Sequence, residues 1–355
     1  MIKRKKTKVI KVGDVLIGGD NPVIVQSMTN TPTSDINKTV RQIKKLEKAG
    51  CEIVRVSVPD EKSAKAIEKI KENIKIPVIA DIHFSYKLAI MAIENGADGI
   101  RINPGNIGNT QRIKKIIDCA KFHSIPIRVG VNSGSIKKNI LKKYGSPTVD
   151  ALVESCIENI RTLEKFNFTE IKVSLKSSNV LTTIESYKKI SKIINYPLHI
   201  GITEAGTIKS GTIKSSVGLG ILLYSGIGDT IRVSLSGDPV EEVFVAYKIL
   251  NSLGIRKTGV EIISCPTCAR TEINVSKLAE KLENKLENIK KHIKIAVMGC
   301  VVNGPGEAKE ADIGVAGSKD SGVIFLKGKI VKKVPASHLE DEFFKFLNSY
   351  LLNNA

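Results

Sequence analysis

Eight short runs of apolar, largely β-branched residues, each followed by a stretch of helical periodicity, constrain this chain more than any other feature. They are PVIVQSMT (22–29), EIVRVSV (52–58), PVIADIH (77–83), GIRINPG (99–105), IPIRVGVN (125–132), EIKVSLKS (170–177), LHIGITEAG (198–206) and DTIRVSL (229–235). Apolar runs of this length alternating with helical patterns build a parallel sheet from βα units, and eight is the number at which such a sheet closes. The expected architecture is α/β: an N-terminal (β/α)8 TIM-type barrel over 1–255 and a smaller α+β domain over 256–355.

The intervening segments read as amphipathic helices. Over 149–163, Val149, Leu152, Val153, Cys156, Ile157, Ile160 and Leu163 fall on one helical face, which makes Cys156 a core residue. Cys119, among Ile116, Ile117 and Ala120, and Cys51, just after Gly50, receive the same reading. Six unevenly spaced cysteines do not form a secreted disulfide framework, so a reducing, cytoplasmic setting is expected. The basic start has no uninterrupted apolar stretch or small-residue cleavage site, and no window is long enough to span a bilayer; no membrane association is expected. The net charge of +19 resides largely in lysines on helix faces, as in IKKLEK and KIKENIK, where it is a solvated surface. Such a charge also permits nucleic acid or phosphorylated small molecules as ligands. With 5% aromatic residues and no Trp, base-stacking platforms are missing, and nucleic acid is not the expected partner.

A barrel strand covered on both sides should be polar only where it emerges at its carboxyl end. Asp81 and His83 end the third run, Asn103 the fourth, Asn132 the fifth, Lys176 the sixth, Glu204 the seventh and Ser234 the eighth. Arg55, Arg101, Arg128 and Arg232 sit inside otherwise apolar runs. Singly, each could pair with Asp81 or Glu204. Together with Lys176 they leave a cationic surplus, which points to a phosphorylated or diphosphate ligand at the barrel mouth. The turns PGNIG (104–108) and SGDP (236–239) can bring backbone N–H groups close to phosphate oxygens.

After residue 240 the pattern changes. A helix (VEEVFVAYKILNSLG) closes the barrel, and GVEIISCPTC then begins a strand that ends at two cysteines. Next come a helix over 275–290, the strand IKIAVMGC, the strands DIGVAGS and SGVIFL, and a last helix over 336–351. Cys265, Cys268 and Cys300 all lie where a strand opens into a loop, with Glu307 seven residues beyond the last thiol. Gly304 and Gly306, flanking Pro305, allow close backbone approach. A redox dithiol fits poorly with Pro266 and a distant third cysteine. Zinc would need a fourth ligand such as His292 or Glu307, and three cysteines alone suit an iron–sulfur cube with one exchangeable iron; spacing leaves both metals open.

The motifs narrow the choice. SCPTCAR and GCVVNGPGEA, together with QSMTNT, RVSVPD, ADIHF, RINPGNIG, RVGVNSGS, VSLKSS, GITEAG and RVSLSGDPVEEV, closely resemble the 4-hydroxy-3-methylbut-2-enyl diphosphate synthase family, IspG or GcpE, in its two-domain bacterial form. The one local departure is Ala269, where that family commonly has glycine. The resemblance implies a 4Fe-4S cluster on Cys265, Cys268 and Cys300, with Glu307 on the fourth iron, in the smaller domain. It implies reductive ring opening of 2-C-methyl-D-erythritol 2,4-cyclodiphosphate to (E)-4-hydroxy-3-methylbut-2-enyl diphosphate, in the non-mevalonate isoprenoid route. Reduced flavodoxin or ferredoxin would supply the electrons. On this reading Arg55, Arg101, Asn103, Arg128, Asn132, Lys176 and Ser234 bind substrate, and Glu204 and Asp81 join Glu307 as catalytic candidates. The resemblance also implies a homodimer whose site is shared between chains. The alternatives are a zinc-stapled βα-barrel lyase or aldolase with Lys176 as Schiff-base lysine and a basic nucleic-acid-binding protein.

Overall fold

The computed structural model describes residues 2–286, 289–300 and 308–353. The chain divides into two compact units, Met1–Arg256 and Lys257–Ala355. The first opens with a short hairpin, β1 (Ile10–Val12) against β2 (Val15–Ile17). Eight parallel strands follow: β3 (Ile24–Met28), β4 (Ile53–Ser57), β5 (Val78–Asp81), β6 (Gly99–Ile102), β7 (Ile127–Asn132), β8 (Ile171–Lys176), β9 (His199–Ile200) and β10 (Thr230–Ile231). They correspond to the eight apolar runs. Their order is β8-β7-β6-β5-β4-β3-β10-β9. A bridge between Val173 and Leu198 joins the two ends into a TIM-type barrel.

Helices return the chain between strands, and their starts are set by side chains that accept from first-turn N–H groups, as Asp60 does from Ser63 and Asn109 from Arg112. Alternate strand residues face outward and pack on these helices: Val54 and Val56, Val78 and Ala80, Val129 and Val131, Val173 and Leu175 all belong to one apolar core. The inward set differs from the expected barrel filling. Only its floor is aliphatic, where Ile24, Ile53 and Ile79 pack against Ile10, Val12 and Ile17 of the hairpin. Above that floor the inward residues are polar along the strands, including Gln26, Arg55, Arg101, Arg128, Lys172, Ser174 and Lys176. Polarity is thus not confined to the carboxyl ends, because the barrel interior is itself a polar chamber.

The second unit is a five-stranded sheet in the order β11 (Val260–Ser264), β12 (Ile293–Met298), β13 (Ile313–Gly317), β14 (Ser321–Leu326), β15 (Lys329–Pro335). Strands β11 to β13 are parallel and the last two antiparallel. Leu278, Leu282 and Leu286 of helix Val275–Leu286, and Phe343 and Leu347 of helix Leu339–Asn353, bury their side chains in its core. Strand β15, largely exposed on its side chains, is an addition to the sequence reading. Among the described residues, no helix is long and apolar enough to cross a membrane.

Candidate functional site

The polar chamber is organised by strand register. Ser57, Asp81, Arg101, Arg128 and Lys172 are successive Cα partners across β4 to β8, so they form one rung of inward-facing side chains. Asp81 is its carboxylate, 4% exposed. Its Oδ1 lies 3.3 Å from Arg101 NH1 and its Oδ2 lies 3.5 Å from Arg55 Nε. Burial alone would raise the Asp81 carboxyl, but the Arg55, Arg101 and Arg128 guanidiniums outweigh it and hold the group down to about 2. Arg55 also rests on Met28 Sδ through Nε (3.1 Å) and NH2 (2.9 Å). Arg128 is 3% exposed, and its Nε and NH1 have no hydrogen-bond partner among the described residues; neither does Arg101 Nε. Buried guanidinium N–H groups left unmatched are costly unless a ligand or water completes them.

Lys176, at the top of β8, lies opposite Asn132 of β7. Its Nζ is 3.3 Å from His199 Nε2, and His199 Nδ1 is 2.8 Å from Thr230 Oγ1. Burial first, then the Lys176 and Arg128 charges, push His199 well below its ordinary value, so the imidazole is neutral. A lysine donating to Nε2 leaves the ring proton on Nδ1, facing Thr230. Two glycines make room for the Arg101 and Lys176 side chains. A Cβ on Gly130 would stand 2.6 Å from Arg101 Nε, and one on Gly201 would stand 2.6 Å from Lys176 Nζ.

The other sequence-derived residues have varied settings. Asn103 is buried, and its amide is spent on the fold: Oδ1 accepts from Gly105 N and Asn159 Nδ2, and Nδ2 donates to Ser135 O, each at 3.2 Å. It holds the PGNIG turn, whose Pro104–Ile107 is a single helical turn. Ser234 is half-buried, two residues beyond Arg232. Glu204 is exposed and has a left-handed backbone, φ 52°, in the loop after β9. A non-glycine residue held there stores strain of about 1–3 kcal/mol, as functional loops often do. His83 is exposed. Arg232 pairs with a carboxylate the sequence did not single out: Glu242 accepts from its Nε (3.2 Å) and NH2 (3.1 Å), from Leu235 N (3.1 Å) and from Ser27 Oγ (3.0 Å). Gln26 and Lys172 are further chamber residues missing from the sequence reading, although the alternation in IKVSLK carries the signal for Lys172.

In the second unit, β11 and β12 run side by side, and their carboxyl ends carry the cysteines. Cys265 N donates to Val297 O (3.3 Å), and Gly299 N donates to Cys265 Sγ (3.1 Å). Cys300 follows Gly299 directly and is half-buried. Glu272 N donates to Gly299 O (2.9 Å), and Thr271 links to Cys268 through Cys268 N (3.1 Å). The three cysteines therefore hang from one hydrogen-bonded frame. Backbone and side-chain hydrogen bonds from Arg270, then Thr271, hold the exposed Cys268 thiol below its ordinary value. Glu307 lies outside the described residues, as do Gly304, Pro305 and Gly306. Among the described residues no three metal-ligating side chains are already gathered as a site. The donor chemistry fits an iron–sulfur cluster nonetheless: soft thiols, with a backbone N–H aimed at the Cys265 sulfur.

The GcpE TIM-barrel domain model matches residues 7–247, and the GcpE protein C-terminal domain model matches residues 261–349. A protein of Caldanaerobacter subterraneus subsp. tengcongensis named 4-hydroxy-3-methylbut-2-en-1-yl diphosphate synthase (flavodoxin) is 62% identical, covering 97% of this chain and 98% of its own. One of the same name from Fusobacterium nucleatum is 56% identical, covering 98% and 99%. Among solved structures, dihydropteroate synthase from Stenotrophomonas maltophilia aligns with a TM-score of 0.52 at 12% identity, over 70% of this chain and 98% of that one. Type I 3-dehydroquinate dehydratase from Clostridium difficile gives 0.52 at 14%, with the same coverage. These two share the barrel fold alone.

Proposed function

The chain belongs to the GcpE family, whose two domain models account for nearly all of it, and we propose that it works as its relatives are named, as a flavodoxin-dependent 4-hydroxy-3-methylbut-2-en-1-yl diphosphate synthase. The substrate on this reading is 2-C-methyl-D-erythritol 2,4-cyclodiphosphate. Two electrons enter, the carbon–oxygen bond to the ring phosphate breaks, and a hydroxyl leaves as water with added protons, giving a linear diphosphate. The family match over the whole chain sets aside the lyase and nucleic-acid readings.

The observation that carries the substrate side is the guanidinium cluster: Arg55, Arg101 and Arg128 gathered round the single carboxylate of Asp81, with donors of Arg101 and Arg128 unmatched. A cyclic diphosphate brings two negative charges and an array of acceptor oxygens, which would complete those donors by charge-assisted hydrogen bonds. Lys176, which burial first and then Arg128 push well below the usual lysine range, adds an amine donor at the mouth, and Asn132 and Ser234 add neutral donors. Asp81 fixes the two arginine planes, and Asn103 holds the adjoining turn. Glu204, exposed on a loop where its backbone is left-handed, is proposed to meet a substrate hydroxyl or hand on a proton.

Cys265, Cys268 and Cys300 would hold a 4Fe-4S cluster, with Glu307 as the fourth ligand. When bound, that group supplies electrons one at a time and a Lewis-acidic iron not committed to thiolate. The chain is proposed to act as a homodimer in the cytoplasm, with flavodoxin or ferredoxin as donor. Anaerobically purified protein should contain about four iron and four acid-labile sulfides per chain and turn over the cyclodiphosphate with reduced flavodoxin. Stoichiometric zinc, or no metal, would refute the cofactor assignment.

A further inference from the structure

Lys172 is 1% exposed, faces the barrel interior from β8, and its Nζ has no hydrogen-bond partner among the described residues. The charges around it are guanidiniums: Arg128 is its register partner on β7 and Arg55 reaches in from β4. Lys176, itself pushed well below the usual lysine range, stands above it on its own strand, and the neutral His199 lies across on β9. The carboxylate felt on this side is Asp229, which precedes β10 and is engaged by Arg4 (3.0 Å), Thr7 Oγ1 (3.0 Å) and Leu198 N (2.8 Å). Further along the rung, Asp81 is shared among three arginines.

A buried amine so placed holds its proton poorly beside guanidiniums that outnumber the carboxylate they share. Burial first, then Arg128 and Arg55, push Lys172 well below the usual lysine range. An anion that seats on Arg128 and Arg55 cancels the repulsion those two exert.

We infer that Lys172 is the proton acceptor of the anion site: it is neutral in the empty barrel and takes up a proton when a doubly charged phosphate ligand occupies the arginines beside it. No bond to carbon or phosphorus changes; the proton comes from solvent and stays on Nζ while the anion is bound. This inference rests on the anion-binding reading above, and it assigns Lys172 a role in holding charge balance, without contact to the reacting atoms. Since binding takes up a proton, affinity falls as pH rises.

The test is calorimetric titration of the full-length protein with 2-C-methyl-D-erythritol 2,4-cyclodiphosphate at pH 8, in two buffers of different ionisation heat. The ligand has no group titrating there. Uptake of about one proton per chain is expected, with Kd rising up to about tenfold per pH unit above neutrality. Lys172→Arg, permanently charged, and Lys172→Met, permanently neutral, should both lose at least half of that uptake and flatten the pH profile. Wild-type binding with equal heats in both buffers would overturn the inference. So would undiminished uptake in a folded Lys172→Arg or Lys172→Met chain, or uptake lost only in Lys176→Met. Sulfate, which exchanges no proton at this pH, separates the two readings: if it binds with proton uptake while the cyclodiphosphate does not bind, the substrate assignment fails and the role of Lys172 stands.

Discussion

Replacing Asp81 by Asn keeps the shape of the side chain and removes its charge, so the variant stands in for the protonated acid. The folded carboxyl lies at about 2 against an ordinary value of 3.8, and a gap of that size corresponds to about 2–3 kcal/mol of folding stability at neutral pH. The sign follows from a depressed folded value. The contribution is fully present above the unfolded value and is lost as pH falls through the folded one. At pH 3 the unfolded acid is mostly protonated and the folded one mostly charged, so about half of the contribution remains. Asp81→Asn should therefore be about 2–3 kcal/mol less stable than the parent at pH 7 and about 1 kcal/mol less stable at pH 3. Urea unfolding followed by near-ultraviolet circular dichroism reads this directly, because Tyr86, Tyr144, Tyr187, Tyr196, Tyr224 and Tyr247 lie in the barrel unit and only Tyr350 lies outside it. A deficit that is the same at both pH values, or below about 0.5 kcal/mol at pH 7, would refute the claim that three guanidiniums hold this carboxylate charged.

Two further substitutions probe the chamber. Glu242→Gln removes the charge that Arg232 relies on and turns one acceptor oxygen into a donor facing Arg232, Leu235 N or Ser27. A cost of about 3 kcal/mol is expected, lowering the thermal midpoint of the barrel by about 6–12 °C; a drop under about 1 °C would count against it. Gly130→Ala places a methyl 2.6 Å from Arg101 Nε and must push that guanidinium aside. The Kd for the cyclodiphosphate should rise about tenfold, equivalent to about 1.4 kcal/mol, with an unaltered Kd contradicting the role given to Arg101.

The strands were legible because a barrel strand wrapped by helices must be apolar on its outer face, and runs such as IVRVS and IRVGV carry that face as every second residue. The inner face was legible only where it broke the apolar pattern with arginine or closed a run. Lys172 was passed over, although in IKVSLK the polar residues recur at alternate positions and a strand so covered can point them only inward. Glu242 left no such mark. It sits in the first turn of helix Pro239–Ser252, where acidic residues are common at helix starts, and its pairing with Arg232 and Ser27 exists only in the folded barrel. The β1–β2 hairpin leaves a different trace: its two three-residue strands sit in a basic, lysine-rich start too short for a periodic signal, while Ile10, Val12 and Ile17 are completely or nearly buried. The cysteine ligands were visible as motifs, but the frame joining them runs through backbone groups of Gly299 and Glu272, which leave no residue signature, and through the Thr271 hydroxyl.

That hairpin has a consequence for traffic through the enzyme. By packing Ile10, Val12 and Ile17 under the aliphatic floor of Ile24, Ile53 and Ile79, it stoppers the amino-terminal end of the chamber. A ring entering and a linear diphosphate leaving would then both use the carboxyl-terminal mouth, where the loops after the strands lie.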